Sequence, residues 1–216
     1  MAETDVPARW ARANQKAAVI ADHGIDEPLR IYLRWHLPLG VLILVGLGYA
    51  LSNLLLSEPW NTDLALGLML AVFGTFAGGL AYTNRRLKSR VSLARSTPLY
   101  GLEKPEQKSI RRQMLGNEPP VPEQLGVVRG VAIEHRYMMA RQFVFLFPFQ
   151  MLLCASQIVN FWTDTVSFAT FLWVVALFLS VWACAYSAWQ YRRIGAFLNG
   201  TYAAGEQGAA QSSSAT

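Results

Sequence analysis

Charge is scarce in this sequence. Only 15% of its 216 residues are Asp, Glu, Lys or Arg, while 53% are apolar and 12% aromatic. Soluble domains carry roughly a quarter charged residues, so the composition excludes an ordinary water-soluble globule and predicts an integral membrane protein. The two cysteines, Cys154 and Cys184, sit inside apolar runs without CxxC or metal-type spacing and read as small packing residues. His23, His36 and His135 are far apart and share no ligand spacing with them, so neither a metal nor any other cofactor is expected. The first thirty residues lack a short apolar core with a small-residue cleavage site, so no signal peptide is read there. A glycine-rich nucleotide loop is missing, as is any nucleophile in a recognisable catalytic setting, and the expectation is a protein that is not an enzyme.

What the sequence has in quantity is long apolar helix-forming runs. Four are predicted to cross a bilayer, from His36 or Leu37 to Leu56, Leu64 to about Tyr82, Phe143 to Trp162, and Thr165 or Val166 to about Trp189. Twenty residues rising 1.5 Å each reach about 30 Å, the thickness of a hydrocarbon core. Pro38 and Pro148 stand near the entrances of the first and third runs and are expected to bend them. The fold class is therefore all-α integral membrane, with four transmembrane helices arranged as two similar hairpins joined by a cytoplasmic helical linker. The expected divisions are an N-terminal arm with an amphipathic helix (1–27), a first hairpin (28–83), the linker (84–142), a second hairpin (143–193) and a mostly disordered tail (194–216).

Orientation follows from basic residues. All nineteen Lys and Arg lie on one side of the four runs, and the two opposite turns hold Glu58, Asp63 and Asp164 with no base. The positive-inside rule places both termini and the linker in the cytoplasm of a multi-pass plasma-membrane protein. Trp60 and Trp162 then form an outer aromatic belt, and Tyr32, Trp35, Tyr82, Trp189 and Tyr191 an inner one. The two halves share features: the turns read PWNTD and NFWTD, and both even-numbered runs close on paired arginines, 85/86 and 192/193. Duplication of one hairpin and convergence on common interface chemistry both account for this.

Twelve of the nineteen bases, against five acids, fall between Arg85 and Arg141. This explains the net charge of +5 through topology and argues against a nucleic-acid partner. Within the linker, Lys104-Pro105-Glu106-Gln107 starts a short helix that Gly116 ends, and three prolines between Asn117 and Pro122 force an extended turn. A further helix opens at Pro122-Glu123, where Gly126 and Gly130 permit close approach of another helix. Ile110 and Met114 on the first helix, with Leu125, Val128 and Ala132 on the second, form a candidate partner-docking face; a stiff connector is the plainer reading. The string LEKPEQKSIRRQMLGNEPPVPEQLGVVRGVA resembles a cytoplasmic linker of small four-span membrane proteins of high-GC Gram-positive bacteria, a family without an assigned activity. That resemblance implies a bacterial plasma membrane and transfers no functional residue.

The N-terminal arm repeats Trp10, Ala13, Ala17 and Ile20 on one face and Arg9, Arg12 and Lys16 on another. Such a helix either rests on an anionic leaflet or packs on the protein's own cytoplasmic part. Glu103, Glu106 and Glu134 are expected to be solvated, since acid–base work requires a convergent pair. Glycines are frequent in the first hairpin, including a GxxxG at Gly74 and Gly78 that suits helix packing, whereas the second is rich in aromatics and looks bulky outward. No ionisable residue falls in the central part of a run; Ser52, Asn53, Gln150, Ser156, Gln157 and Asn160 read as hydrogen-bonding groups between helices. The expected function is a non-catalytic accessory, assembly or scaffolding subunit contacting membrane lipids and a larger membrane subunit or a second copy of itself. A small oligomeric transporter or channel is the alternative.

Overall fold

A computed structural model describes residues 6–55, 59–94, 96–161 and 168–214, with 203–214 described by backbone alone. Glu58, Trp162 and Asp164, which enter the orientation argument, lie outside the described residues. The elements are α1 (Val6–Ala17), β1 (Ala21–Asp22), α2 (Asp26–Ile31), α3 (Leu37–Leu55), α4 (Trp60–Tyr82), β2 (Val91–Ser92), α5 (Lys104–Met114), α6 (Leu125–Arg141), α7 (Phe147–Asn160) and α8 (Phe168–Ser214). Four helical stretches are long and apolar enough to cross a membrane: Asp26–Leu55, Trp60–Arg90, Pro122–Asn160 and Phe168–Tyr202. The chain divides into two compact units, one of residues 1–23, 91–138 and 188–216, the other of residues 24–90 and 139–187.

In the second of these units α4 is the central helix, packed on both α3 and α7. Glycine sets how near α3 and α4 come. A Cβ added to Gly48 would stand 2.7 Å from Gly67 Cα, and one added to Gly67 would stand 2.6 Å from the Val45 carbonyl oxygen. On the other side a Cβ at Gly79 would meet Phe145 Cβ at 2.7 Å, and Ser156 Oγ donates to the Ala65 carbonyl at 3.0 Å. Phe76 of α4 packs against Phe145 and Phe149, with ring centroids 5.8 and 5.4 Å away. The aromatic residues around α7 thus turn inward onto α4. The outward bulk expected of the whole second half lies mainly on α8, where Phe168, Phe171, Phe178 and Trp182 are exposed, with Leu146 and Phe161 the exposed apolar residues near α7.

Both proline sites show the same device. A π-helical turn precedes each one, Tyr32–His36 before Pro38 and Gln142–Leu146 before Pro148. Proline has no N–H to donate to the carbonyl four residues back, and a wider turn re-pairs the backbone there. The expected bend is taken up in this way.

In the other unit, α1 packs on the start of α6. A Cβ at Gly130 would meet Ala17 Cβ at 3.0 Å, and one at Gly126 would meet Asn14 Oδ1 at 3.3 Å. Of the two readings left open for α1, packing on the chain itself is the one observed, with Ala13 and Ala17 buried. A two-residue antiparallel bridge, Ala21 opposite Ser92 and Asp22 opposite Val91, is a small β component that an all-α reading does not contain. At the far end, α8 runs helical to Ser214 where the small polar composition suggested disorder. Ala, Glu and Gln supply enough helix propensity to carry the backbone on, and before them Ile194 and Leu198 are buried.

Candidate functional site

In the unit of residues 24–90 and 139–187, a recess and a buried acid stand out among the described residues. The first is a recess of about 220 Å³ beside α3 and α4, lined by Tyr32, His36, Gly40, Gly74, Gly78 and Tyr82 among others. Its rim is aromatic. Tyr32 lies 4.7 Å from Tyr82 and 6.3 Å from His36, ring to ring, and Tyr82 Oη donates to the Pro28 carbonyl at 2.8 Å. That contact buries Tyr32, which the sequence assigns to an interfacial belt; Trp35 and Trp189 remain exposed. The floor is glycine. Side-chain atoms added at Gly40 or Gly78 would meet nothing within 4 Å, whereas at Gly74 they would collide with the Leu44 side chain. The GxxxG pair is therefore divided: Gly74 accommodates Leu44, and Gly78 opens onto the recess. The backbone-to-backbone approaches between α3 and α4 are made at Gly48 and Gly67.

The second feature is Asp63. Sequence reasoning puts it in an outer turn, but Pro59 precedes a helix that begins at Trp60, so Asp63 occupies the first turn of α4 and is wholly buried. Ser52 Oγ donates to its Oδ1 at 2.5 Å and Asn53 Nδ2 to its Oδ2 at 3.3 Å. A carboxylate in a first helical turn faces the positive end of the helix dipole, which favours it there. Ser52 and Asn53 thus act between helices, as their polarity inside an apolar run suggests, and so does Ser156. Gln150 Nε2 lies 3.7 Å from Cys154 Sγ, one helical turn away on the same helix.

The other unit accounts for the candidate docking face. Ile110, Met114, Val128 and Ala132 are buried within the chain and Leu125 is half-buried, so these side chains serve its own core. Glu103 and Glu106 are engaged rather than only solvated. Arg9 Nη1 donates to Glu103 Oε1 at 2.7 Å, Trp10 Nε1 donates to Glu106 Oε1 at 3.0 Å, and Glu106 also accepts the Glu103 backbone N–H at 2.7 Å, capping α5. The proline turn closes around Gln113, a residue the sequence does not single out. Its Nε2 donates to Gln124 Oε1 at 2.8 Å, and its Oε1 accepts the Val121 N–H at 3.1 Å. Gly116, at φ 68°, ends α5 as expected. Glu118 accepts from Arg112 Nη1 at 2.9 Å and Ser109 Oγ at 3.1 Å. The Arg112 guanidinium holds the Glu118 carboxyl below its ordinary value, aided by Ser109 and Lys108.

Arginine–aromatic contacts join α6 to the C-terminal part of α8. Arg136 stands 4.7 Å from the Tyr191 ring centroid and Arg129 5.1 Å from that of Tyr202, and Arg136 also pairs with Asp22 at 3.4 Å. Contacts of this kind contribute about 0.5–1 kcal/mol where the ring is exposed, as at Tyr202, and about 2 kcal/mol where it is desolvated. Among the described residues no group of three or more His, Cys, Asp or Glu side chains could hold a metal ion. Compared with known proteins, the chain matches no family model, no curated protein and no solved structure. The roles assigned to these residues rest on their geometry.

Proposed function

We propose that this chain is a multi-pass plasma-membrane protein with both termini and residues 84–142 in the cytoplasm, its four apolar helices forming two related hairpins joined by the polar segment. Within it we read a non-catalytic accessory, assembly or scaffolding subunit of a larger membrane complex. The observation that carries this reading is Trp182. It is 68% exposed, and Phe171 and Phe178, at helical spacing on the same face of α8, are 57% and 68% exposed. Trp182 lies seven residues before Trp189, about 10 Å along the helix, inside the hydrocarbon rather than at its edge. Large aromatic side chains gathered on one exposed helix face suit packing against a neighbouring subunit. The surroundings agree, since the apolar part of α8 is the barest of the four long helical stretches among the described residues.

The test is a photoactivatable amino acid at position 182, irradiated in the native membrane. Discrete, reproducible adducts with one membrane protein, recovered in fixed ratio after mild-detergent purification, are expected. Adducts with lipid only, from a protein that purifies as a lone monomer, would contradict the reading. A small oligomeric transporter or channel is the second reading, and Asp63 is what favours it, because ionisable groups inside membranes commonly mark ion or substrate paths. Ion flux in reconstituted liposomes that Asp63→Asn abolishes would move the assignment to transport.

A further inference from the structure

The recess beside α3 and α4 is a slot with a polar mouth and an apolar run. Two rows of residues at i+4 spacing line it from opposite sides, Tyr32, His36, Gly40 and Leu44 on one and Tyr82, Gly78 and Gly74 on the other. The rows run antiparallel. At one end the Tyr82 ring stands 4.7 Å from that of Tyr32 and 5.6 Å from that of His36, and at the other Leu44 takes the space beside Gly74. Between these ends the slot is open, since a Cβ at Gly40 or Gly78 would meet nothing within 4 Å. Gly78 is exposed and Gly40 half-buried, so the opening faces sideways, out of the helix pair.

The lining decides what fits. Aromatic rings with polar atoms gather at the Tyr32 end, whereas deeper in the Thr75 hydroxyl is bonded back onto its own helix, donating to the Ala71 and Val72 carbonyls at 2.7 and 3.1 Å. A ligand with a polar head and an apolar body matches that gradient. From His36 to Leu44 the helix climbs about 12 Å, most of the roughly 15 Å that one leaflet contributes to a 30 Å hydrocarbon core. A helix about 10–12 Å across with its side chains would rest over a recess of about 220 Å³, while a single hydrocarbon chain is slender enough to lie along it. Charge marks the mouth. Arg86 follows Tyr82 by four residues, is exposed, and acts electrostatically on Tyr82.

We infer that the recess holds one acyl chain of an anionic phospholipid from the leaflet at its Tyr32 end, the chain lying along Gly40 and Gly78 as far as Leu44 and the phosphate near Arg86. This rests on the membrane reading of the four helices and is independent of the subunit role. Hydrocarbon gains little by leaving other hydrocarbon, so selection comes from the fit along the glycines and from the headgroup charge.

The experiment uses the full-length chain in nanodiscs containing phosphatidylglycerol with a diazirine midway along one acyl chain, and locates the photo-adducts by mass spectrometry. Adducts are expected within residues 40–44 and 74–78. Gly78→Leu and Gly40→Leu each fill the slot and should abolish them, while Gly46→Leu, at an exposed glycine with open space around it and outside the recess, should leave them unchanged. An unaltered SDS-unfolding midpoint shows that a variant is folded, and either slot variant alone suffices. The same diazirine on phosphatidylcholine should give roughly fivefold fewer adducts, the equivalent of about 1 kcal/mol for one base at the membrane surface, and Arg86→Gln should remove that difference. Adducts spread along every lipid-facing helix, or persisting in the slot variants, would overturn the site, and equal yields from the two headgroups would overturn its anionic occupant. A dimer sensitive to Gly78→Leu, without lipid adducts, would give the slot to a second copy of the chain and overturn the lipid. Failure of the chain to enter the nanodiscs is a separate result, which contradicts the membrane reading and the site with it.

Discussion

Asp63 shows how a single side chain acquires a role from the helix that carries it. Its carboxylate accepts from Ser52 and Asn53 while wholly buried, so removing it strands a buried hydroxyl. Asp63→Ala should cost about 1–3 kcal/mol in an SDS-unfolding titration of the purified protein, with Asp63→Asn milder because it keeps an acceptor oxygen. An equal, negligible effect of both would sink this role. The glycines separate in the same way. Gly67→Leu forces α3 and α4 apart at a backbone-to-backbone contact and should destabilise by about 1–3 kcal/mol or more, whereas Gly78→Leu meets open space and should be tolerated in the same titration. Sequence alone points to Gly74 and Gly78, because a GxxxG spacing is visible there. It cannot show that Gly48 and Gly67 lie opposite one another, since that depends on the register between two helices. Asp63 was hidden for a different reason. PWNTD reads as a polar turn, and only the start of α4 at Trp60 converts its last residue into a buried first-turn acid.

Among the elements, α5 and the proline turn illustrate local order carried by polar contacts. Gln113 is 1% exposed and holds both sides of the turn. Gln113→Leu should leave the Val121 N–H without its acceptor and increase proteolysis within 115–124, while α5 itself persists in circular dichroism; unchanged proteolysis would contradict this role. The Arg112–Glu118 pair adds a pH dependence of stated sign. Because the folded pKa of Glu118 is depressed, its contribution is present above the ordinary glutamate value near 4.3 and is lost as pH falls through the lower, folded one. Melting between about pH 5 and pH 3 should therefore show a loss that Glu118→Gln reduces. An identical acid limb in both proteins would refute the linkage. The boundaries of α5 were legible in Pro105, Glu106 and Gly116, which encode start and stop locally. The choice between leaflet and self-packing for α1 was not, because an alanine face suits either, and Gly126 and Gly130 decide it only once the two helices are seen together.

For the whole chain, the scarcity of charge and the length of four apolar helices are the most legible features, and they depend only on composition and rise per residue. Which helices contact which was much less so. The packing of the first pair on itself, which its glycines suggest, is observed between α3 and α4, but α4 also packs on α7, so of the second pair only α8 is left largely bare. The aromatic side chains of residues 143–149 and 168–182 look alike in composition and differ only in where the backbone takes them. The functional reading depends on a bilayer enclosing these helices in the orientation set by the nineteen bases. Paired cysteine labelling reports on both together: with Cys154 and Cys184 replaced by alanine, Asn61→Cys and Lys108→Cys are each treated with a membrane-impermeant maleimide on intact cells and again after permeabilisation. Labelling of position 61 on intact cells, and of position 108 only after permeabilisation, is expected. The reverse pattern, or labelling of both from outside, would contradict the proposed topology.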